Sequence, residues 1–267
     1  MKRGKIKMKL KSKTGQAEKA VSPNRLHTLD GLRGFAVVNM IFYHAIWDLV
    51  YIFGCDWAWY KGTGAHIWQQ CICMTFIVLS GFCALLGKHT LKRGLTVFAG
   101  GAVVTAVTLI AMPEDRVVFG ILTFMGSAML VVAALRKVLE KIPAALGLAV
   151  NLVLFILTRH IARGYFGLPS FHVQLPQALY SGYFSAFFGF PNEDFFSTDY
   201  FALFPWLFLF LCGLFLYRLT KDKLQDCKFL KVNIPFFGFI GRHSLLIYLL
   251  HQPIIYAVLT VVFMIIR

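Results

Sequence analysis

The sequence predicts an all-α integral membrane protein of about seven transmembrane helices, with the N-terminus cytoplasmic and the C-terminus outside. Three observations predict it. Hydrophobic residues make up 58% of the 267 and charged residues only 15%, with a mean hydropathy of +0.68, where a soluble domain carries about 25% charged residues. Seven apolar runs, roughly 29–53, 66–86, 94–112, 117–135, 142–158, 200–218 and 243–265, come near the about 17–25 residues that a helix needs to span a bilayer. The connections between those runs alternate in charge, as a chain threaded back and forth across a membrane requires.

Residues 1–27 form a basic tail, in which nine Lys or Arg fall within the first 25 positions against one acid, Glu18. Lys and Arg stay on the cytoplasmic side of membrane proteins, so this tail sets the N-terminus inside. The net charge of +15 is therefore a topology signal, and it predicts contact with anionic lipid headgroups rather than nucleic acid. Residues 28–267 read as a single transmembrane domain. Its first run is too long for the apolar part of a secretory signal and lacks a small-residue cleavage site, so it reads as a retained span. Lys88, Lys92 and Arg93 follow the second run, and Arg136, Lys137 and Lys141 follow the fourth. Arg218, Lys221, Lys223, Lys228, Lys231 and Arg242 fill the connection 218–242. The intervening connections, 54–65 and 112–116, are short and near neutral. Seven spans satisfy every connection at once.

Segment 159–199 departs from this pattern. It is long, aromatic and interrupted by Gly and Pro, and it ends in PNEDFFSTDY. A connection of this length is commonly functional or has structure of its own, which predicts an interfacial or re-entrant cover over an outward-facing site. Pro143 suits the first turn of the fifth helix. No internal repeat is visible, which weighs against a transporter, since many are built from inverted repeats. The six cysteines, Cys55, Cys71, Cys73, Cys83, Cys212 and Cys227, include no C-x-x-C pair and read as small buried hydrophobes. No metal site is expected.

The first run carries the chemistry. Residues 29–48 read LDGLRGFAVVNMIFYHAIWD, and charge at mid-bilayer costs roughly 2.5–3.5 kcal/mol per Arg or Asp, so such residues usually mark a site. Arg33 and His44 are eleven residues apart, which returns to within about 20° on a helix turning 100° per residue. Asp30 and Asp48 lie within about 60° of Arg33, so the four make a polar stripe about 27 Å long. Asp48 is one turn beyond His44, where it can accept a ring N–H and set the tautomer. A neutral imidazole so held is a general base for a hydroxyl or amine. Arg33 with Asp30 is an ion pair at the helix entrance, a contact for incoming phosphates, or both.

A second polar helix is expected in GRHSLLIYLLHQP. His251 and Gln252 sit there beside Pro253, which removes a backbone donor and can aim neighbouring groups inward. Asp199, with Tyr200, Pro205 and Trp206, opens the sixth run on the outer side; it binds an amine or sugar hydroxyl, or ends a loop. Trp68 and Gln69 begin the second span, where Trp68 is a substrate contact or an interfacial belt residue. Ser80-Gly81 permits close helix packing near the end of that span.

These residues resemble a known family. The pattern R-x-x-x-x-D-G-L-R-G-x-A…M-I-F-Y-H-x-x-x-D-L, carried by Arg25, Asp30, Gly31, Arg33, Gly34, Met40, His44 and Asp48, resembles the start of bacterial proteins related to heparan-alpha-glucosaminide N-acetyltransferase. LKRGLTVFAGGAVVT, FGILTFMGSAML, DYFALFPWLFLFLCG and GRHSLLIYLLHQP extend the resemblance over nearly the whole chain except the tail and 159–198. The Arg33-to-His44 spacing is also similar to that of the acyltransferase-3 membrane proteins. The resemblance implies transfer of an acyl group, acetyl above all, from cytoplasmic acyl-CoA to a sugar or cell-envelope acceptor. His44 is then the base and Arg33 a donor contact, with Lys92, Arg93 and Arg242 near the nucleotide phosphates. Asp30, Trp68, Asp199, His251 and Gln252 would meet the substrates. The animal enzyme places its key histidine after the first span, which makes His66 the alternative to His44. The expected location is the cell membrane, multi-pass; the expected partners are lipid and a small-molecule or glycan acceptor. The rival reading is a small transporter or flippase with a proton or anion relay.

Overall fold

A computed structural model describes residues 26–87, 89–224 and 227–266. Arg25, Glu18 and the rest of the basic tail before Leu26, together with Lys88, lie outside the described residues. The chain forms α1 (His27–Tyr51), α2 (Thr63–Cys83), α3 (Thr90–Ala111), α4 (Ile121–Leu139) and α5 (Ala144–Thr158). A short hairpin, β1 (Tyr165–Leu168) with β2 (Phe171–Gln174), and one turn of helix, α6 (Ser185–Phe188), follow. The chain closes with α7 (Leu203–Leu224), α8 (Pro235–Arg242) and α9 (Ser244–Ile266). Seven of these helices are long and apolar enough to cross a membrane: α1 to α5, α7 and α9, with α5 extended by the turn Ile161–Arg163. The fold is the nearly all-α bundle that the apolar runs predict.

Two features of the bundle were not legible as runs. The connection 218–242 contains α8, and segment 159–199 contains the antiparallel hairpin, in register Tyr165 to Gln174 and Leu168 to Phe171. Pro143 stands one residue before α5 rather than inside it.

The helices pair in a way that separates core from rim. α7 packs on α2 and α5, α3 packs on α4, and α1 packs on α8, α9 and α2. The main core joins α2, α4 and α7 around Ile77, Phe124, Phe210, Leu214 and Phe215, all buried. α4 and α7 are the most buried spans, whereas α3 and α9 are the most exposed. In lipid there is no hydrophobic gain from helix pairing, so small residues that let backbones touch decide where helices cross. Ser80-Gly81 does this for α2 and α7: a Cβ on Gly81 would stand 1.9 Å from the carbonyl oxygen of Phe210.

The two ends of the bundle differ. At one end lie Arg33, Lys92, Arg93 and Arg242. There too the Arg218 guanidinium donates to the carbonyls of Leu139, Ile142 and Glu140 at 2.6, 2.8 and 2.9 Å, capping α4 and tying α7 to the α4–α5 turn. At the other end, 197–201 lies along 116–121. Thr198 N–H donates to Arg116 O, Val118 N–H to Ser197 Oγ and Phe201 N–H to Phe119 O, at 2.9 to 3.1 Å. The end of the long segment is thus stitched onto the mouth of α4.

Candidate active site

The basic end is assembled by a backbone crossing. A Cβ on Gly34 would lie 1.9 Å from Phe237 O, and a Cβ on Gly241 would lie 1.9 Å from Asp30 O. α1 and α8 therefore touch main chain to main chain, with Gly on both sides of the contact. Arg33 and Arg242 are the immediate neighbours of those glycines, so the crossing brings two arginines from distant sequence to one place. Arg33 is also paired with Asp30, at 3.5 Å. Arg33 and Arg242 line the same cavity as Lys92 and Arg93 on α3.

That cavity has a volume of about 610 Å³, within the usual range of about 300–1,000 Å³ for small-molecule sites. It is lined by α1, α2, α3, α4, α8 and α9, with Asp199 and Phe201 on the far side. His44 lines it too, about 16 Å from Arg33 along the axis of α1. One space therefore holds four cationic side chains at one end and an imidazole with a carboxyl group deeper in. The walls between are mostly apolar, with Met40, Phe76 and Met125 among them.

Asp199 is fixed from two directions. Its Oδ2 accepts the Ile121 N–H at the start of α4, at 3.1 Å, and the Tyr248 hydroxyl at 3.1 Å. A carboxylate at a helix N-terminus satisfies an orphan donor and complements the helix dipole. Burial pushes the Asp199 carboxyl above the ordinary carboxylate range, and those two donors pull it part of the way back. Of the two roles open to it, the loop-end role is therefore filled, and it also forms part of the cavity wall.

His44 meets α9 rather than Asp48. Its ring lies edge to face against His251, centroids 4.9 Å apart. His251 is buried, with Nδ1 2.6 Å from Tyr248 O. The expected bond from His44 to Asp48 is not found among the described residues. Instead Gln252 Nε2 donates to Asp48 Oδ1 at 2.6 Å, joining α1 to α9. Asp48 and His44 are neighbours on one face of α1, and both meet α9, where the primary amide of Gln252 takes Asp48 as its acceptor. Asp48 Oδ2 and Gln252 Oε1 are both buried without a partner. Two acceptors left so predict the behaviour of substitutions. Asp48→Asn supplies an N–H for Gln252 Oε1 while keeping an oxygen for Nε2, so its thermal midpoint in detergent should match or exceed wild type. Asp48→Ala orphans the Gln252 donor and should cost about 1–3 kcal/mol.

Of the residues singled out from sequence, Arg33, His44, Lys92, Arg93, Asp199 and Arg242 line the cavity. Asp30, Asp48, Trp68, His251 and Gln252 stand behind or beside it. Trp68 donates from Nε1 to Asn39 Oδ1 at 3.1 Å and packs edge-on against Tyr43, which makes it an α1–α2 packing residue. His66, the alternative base, is exposed at the start of α2 and does not line the cavity. The structure adds His89, Ser80 and Tyr248 to the walls. Tyr248 was legible in principle: Ser244, Tyr248 and Gln252 recur every four residues, and His251 fills the same face, a polar stripe on an otherwise apolar helix.

The family model for the catalytic region of heparan-alpha-glucosaminide N-acetyltransferase matches residues 25–253. Neither a curated protein nor a solved structure matches the chain.

Proposed function

Because the chain belongs to the heparan-alpha-glucosaminide N-acetyltransferase catalytic family, a family of transmembrane acetyltransferases, we propose that it moves an acyl group, acetyl above all, from cytoplasmic acyl-CoA to a sugar or cell-envelope acceptor. The observation that carries this reading is the single cavity joining Arg33, Lys92, Arg93 and Arg242 to His44. The basic end faces the cytoplasm of a cell membrane, in keeping with the charge of the connections. Arginine forks and lysine point charges suit the phosphates of the CoA nucleotide. The roughly 16 Å from Arg33 to His44 suits an extended pantetheine arm.

The thioester carbonyl then stands beside His44, where the acceptor arrives from the opposite side. As the acceptor oxygen or nitrogen attacks that carbonyl, its proton passes to His44; the C–S bond breaks, and the departing CoA thiolate takes the proton. Asp199 orients the acceptor by accepting one of its hydrogens. His44 acts as general base with one ring nitrogen bare towards the cavity.

Acyl-CoA binding to purified protein in detergent tests the reading. Saturable binding of acetyl-CoA is expected, weakened about tenfold or more by Arg33→Ala or Arg242→Ala, as charge-assisted hydrogen bonds of about 1.5–3 kcal/mol imply, and changed less than about twofold by His44→Ala. Absence of saturable binding by the folded wild type would overturn it.

A further inference from the structure

We infer that His251 is the positioning residue for His44: its free ring nitrogen takes the inner N–H of His44 and so leaves the other His44 nitrogen bare in the cavity. The inference rests on the proposed role of His44 as base. A carbonyl oxygen only accepts, so the 2.6 Å contact between His251 Nδ1 and Tyr248 O puts the ring hydrogen on Nδ1. Nε2 of His251 is then an acceptor, and it is buried with no partner. The rings of His44 and Tyr248 pack on that of His251, at 4.9 and 5.3 Å between centroids. The Tyr248 hydroxyl is given to Asp199, which leaves the His44 imidazole as the neighbouring ring with an N–H to offer. Among the described residues no hydrogen bond to the His44 ring is found, while Asp48, the group expected to orient it, is taken by Gln252.

The arrangement has the logic of a base held by a third group, with a neutral histidine in place of the carboxylate. His44 lines the cavity and His251 does not, so His251 acts through His44 rather than on substrate. A turn of the His44 ring closes this bond, so that when His44 takes the acceptor proton its second N–H is held inward and the new hydrogen sits on the nitrogen facing the thioester. Tyr248 anchors the device, since its carbonyl holds His251 while its hydroxyl holds Asp199.

Two substitutions separate this role from simple packing. His251→Asn keeps a side-chain donor for Tyr248 O and lacks the reach to replace Nε2. His251→Gln gives up the Tyr248 bond and places an amide oxygen near the position of Nε2. A positioning role predicts that Gln is the better replacement, and a structural role predicts Asn. The measurements are acetyl-CoA-dependent acetylation of glucosamine, used as the probe acceptor, and the ring nitrogen shifts of His44 in protein labelled at histidine and held in lipid bilayers. His251→Asn should lower kcat on the order of 10²-fold, with KM for acetyl-CoA within about twofold, and should mix the His44 tautomers. His251→Gln should keep one tautomer and recover most of that loss. A single unchanged tautomer in His251→Asn, or a kcat for His251→Asn above that of His251→Gln, would overturn the assignment. If glucosamine is not acetylated by any of the proteins, the acceptor reading fails and the nitrogen shifts still decide the role of His251.

Discussion

His44→Ala is expected to remove acyl transfer while leaving donor binding intact. A positioned general base contributes about 10²–10⁴-fold, so kcat should fall by that range in a protein whose thermal midpoint and acetyl-CoA affinity stay close to wild type. The cavity geometry predicts the split: Arg33, Lys92, Arg93 and Arg242, the proposed donor contacts, line one end, and His44 lines the same cavity about 16 Å away along α1. Single-turnover rates beside equilibrium binding measure the two separately. His66→Ala is the matched control. His66 is exposed at the start of α2 and outside the cavity, so its loss should leave both readouts unchanged. Full turnover in His44→Ala with loss in His66→Ala would reassign the base.

Gly34→Ala and Gly241→Ala are expected to be among the most damaging single-methyl changes in the chain. Each added Cβ would lie 1.9 Å from a carbonyl oxygen of the facing helix, and a backbone atom cannot swing aside as a side chain can. Overpacking of this kind costs about 1–3 kcal/mol and occasionally more, and here the upper end is expected because α1 and α8 must separate bodily. Separation also parts Arg33 from Arg242, so acetyl-CoA affinity should drop even in the fraction that remains folded. Gly31→Ala, on the same helix with nothing within 4 Å of its added Cβ, should change neither stability nor affinity. Thermal unfolding in detergent and acetyl-CoA titration of the three variants test this together.

The polar stripe of the first span was legible because the positions of Arg33 and His44 nearly coincide on a helix wheel, and both line the cavity. Asp48 is on the same side of the helix, buried and bonded to Gln252. The partner itself was not legible, since one span's sequence does not say which helix lies beside it. The polar face of α9 did indicate that His251 and Gln252 turn inward. α8 was hidden for a different reason. It is eight residues long inside a lysine-rich connection, too short for a periodicity to stand out, and its place is fixed by contact between two backbones rather than by side-chain pattern. The hairpin was hidden because each strand is only four residues long, so the alternation in FHVQ is too short to stand out. Glycine beside arginine, as in LRG and GRH, is the one sequence sign of the crossing that builds the donor end.

The stretch of α9 from Tyr248 to Gln252 is held to the rest of the chain at two points, through the Tyr248 hydroxyl to Asp199 and through Gln252 to Asp48, and is braced within itself by the contact of His251 with the Tyr248 carbonyl. A helix turn tethered to α1 and to the start of α4 at once has little freedom to slide or rotate. The entropy of aligning imidazole and carboxyl group is therefore lost when the chain folds, before any substrate arrives, and is not charged against the barrier of each turnover. The donor end is built otherwise, from long side chains with many rotamers. Ordering on binding is concentrated there, and acyl-CoA should meet a stiff reaction centre through a compliant doorway.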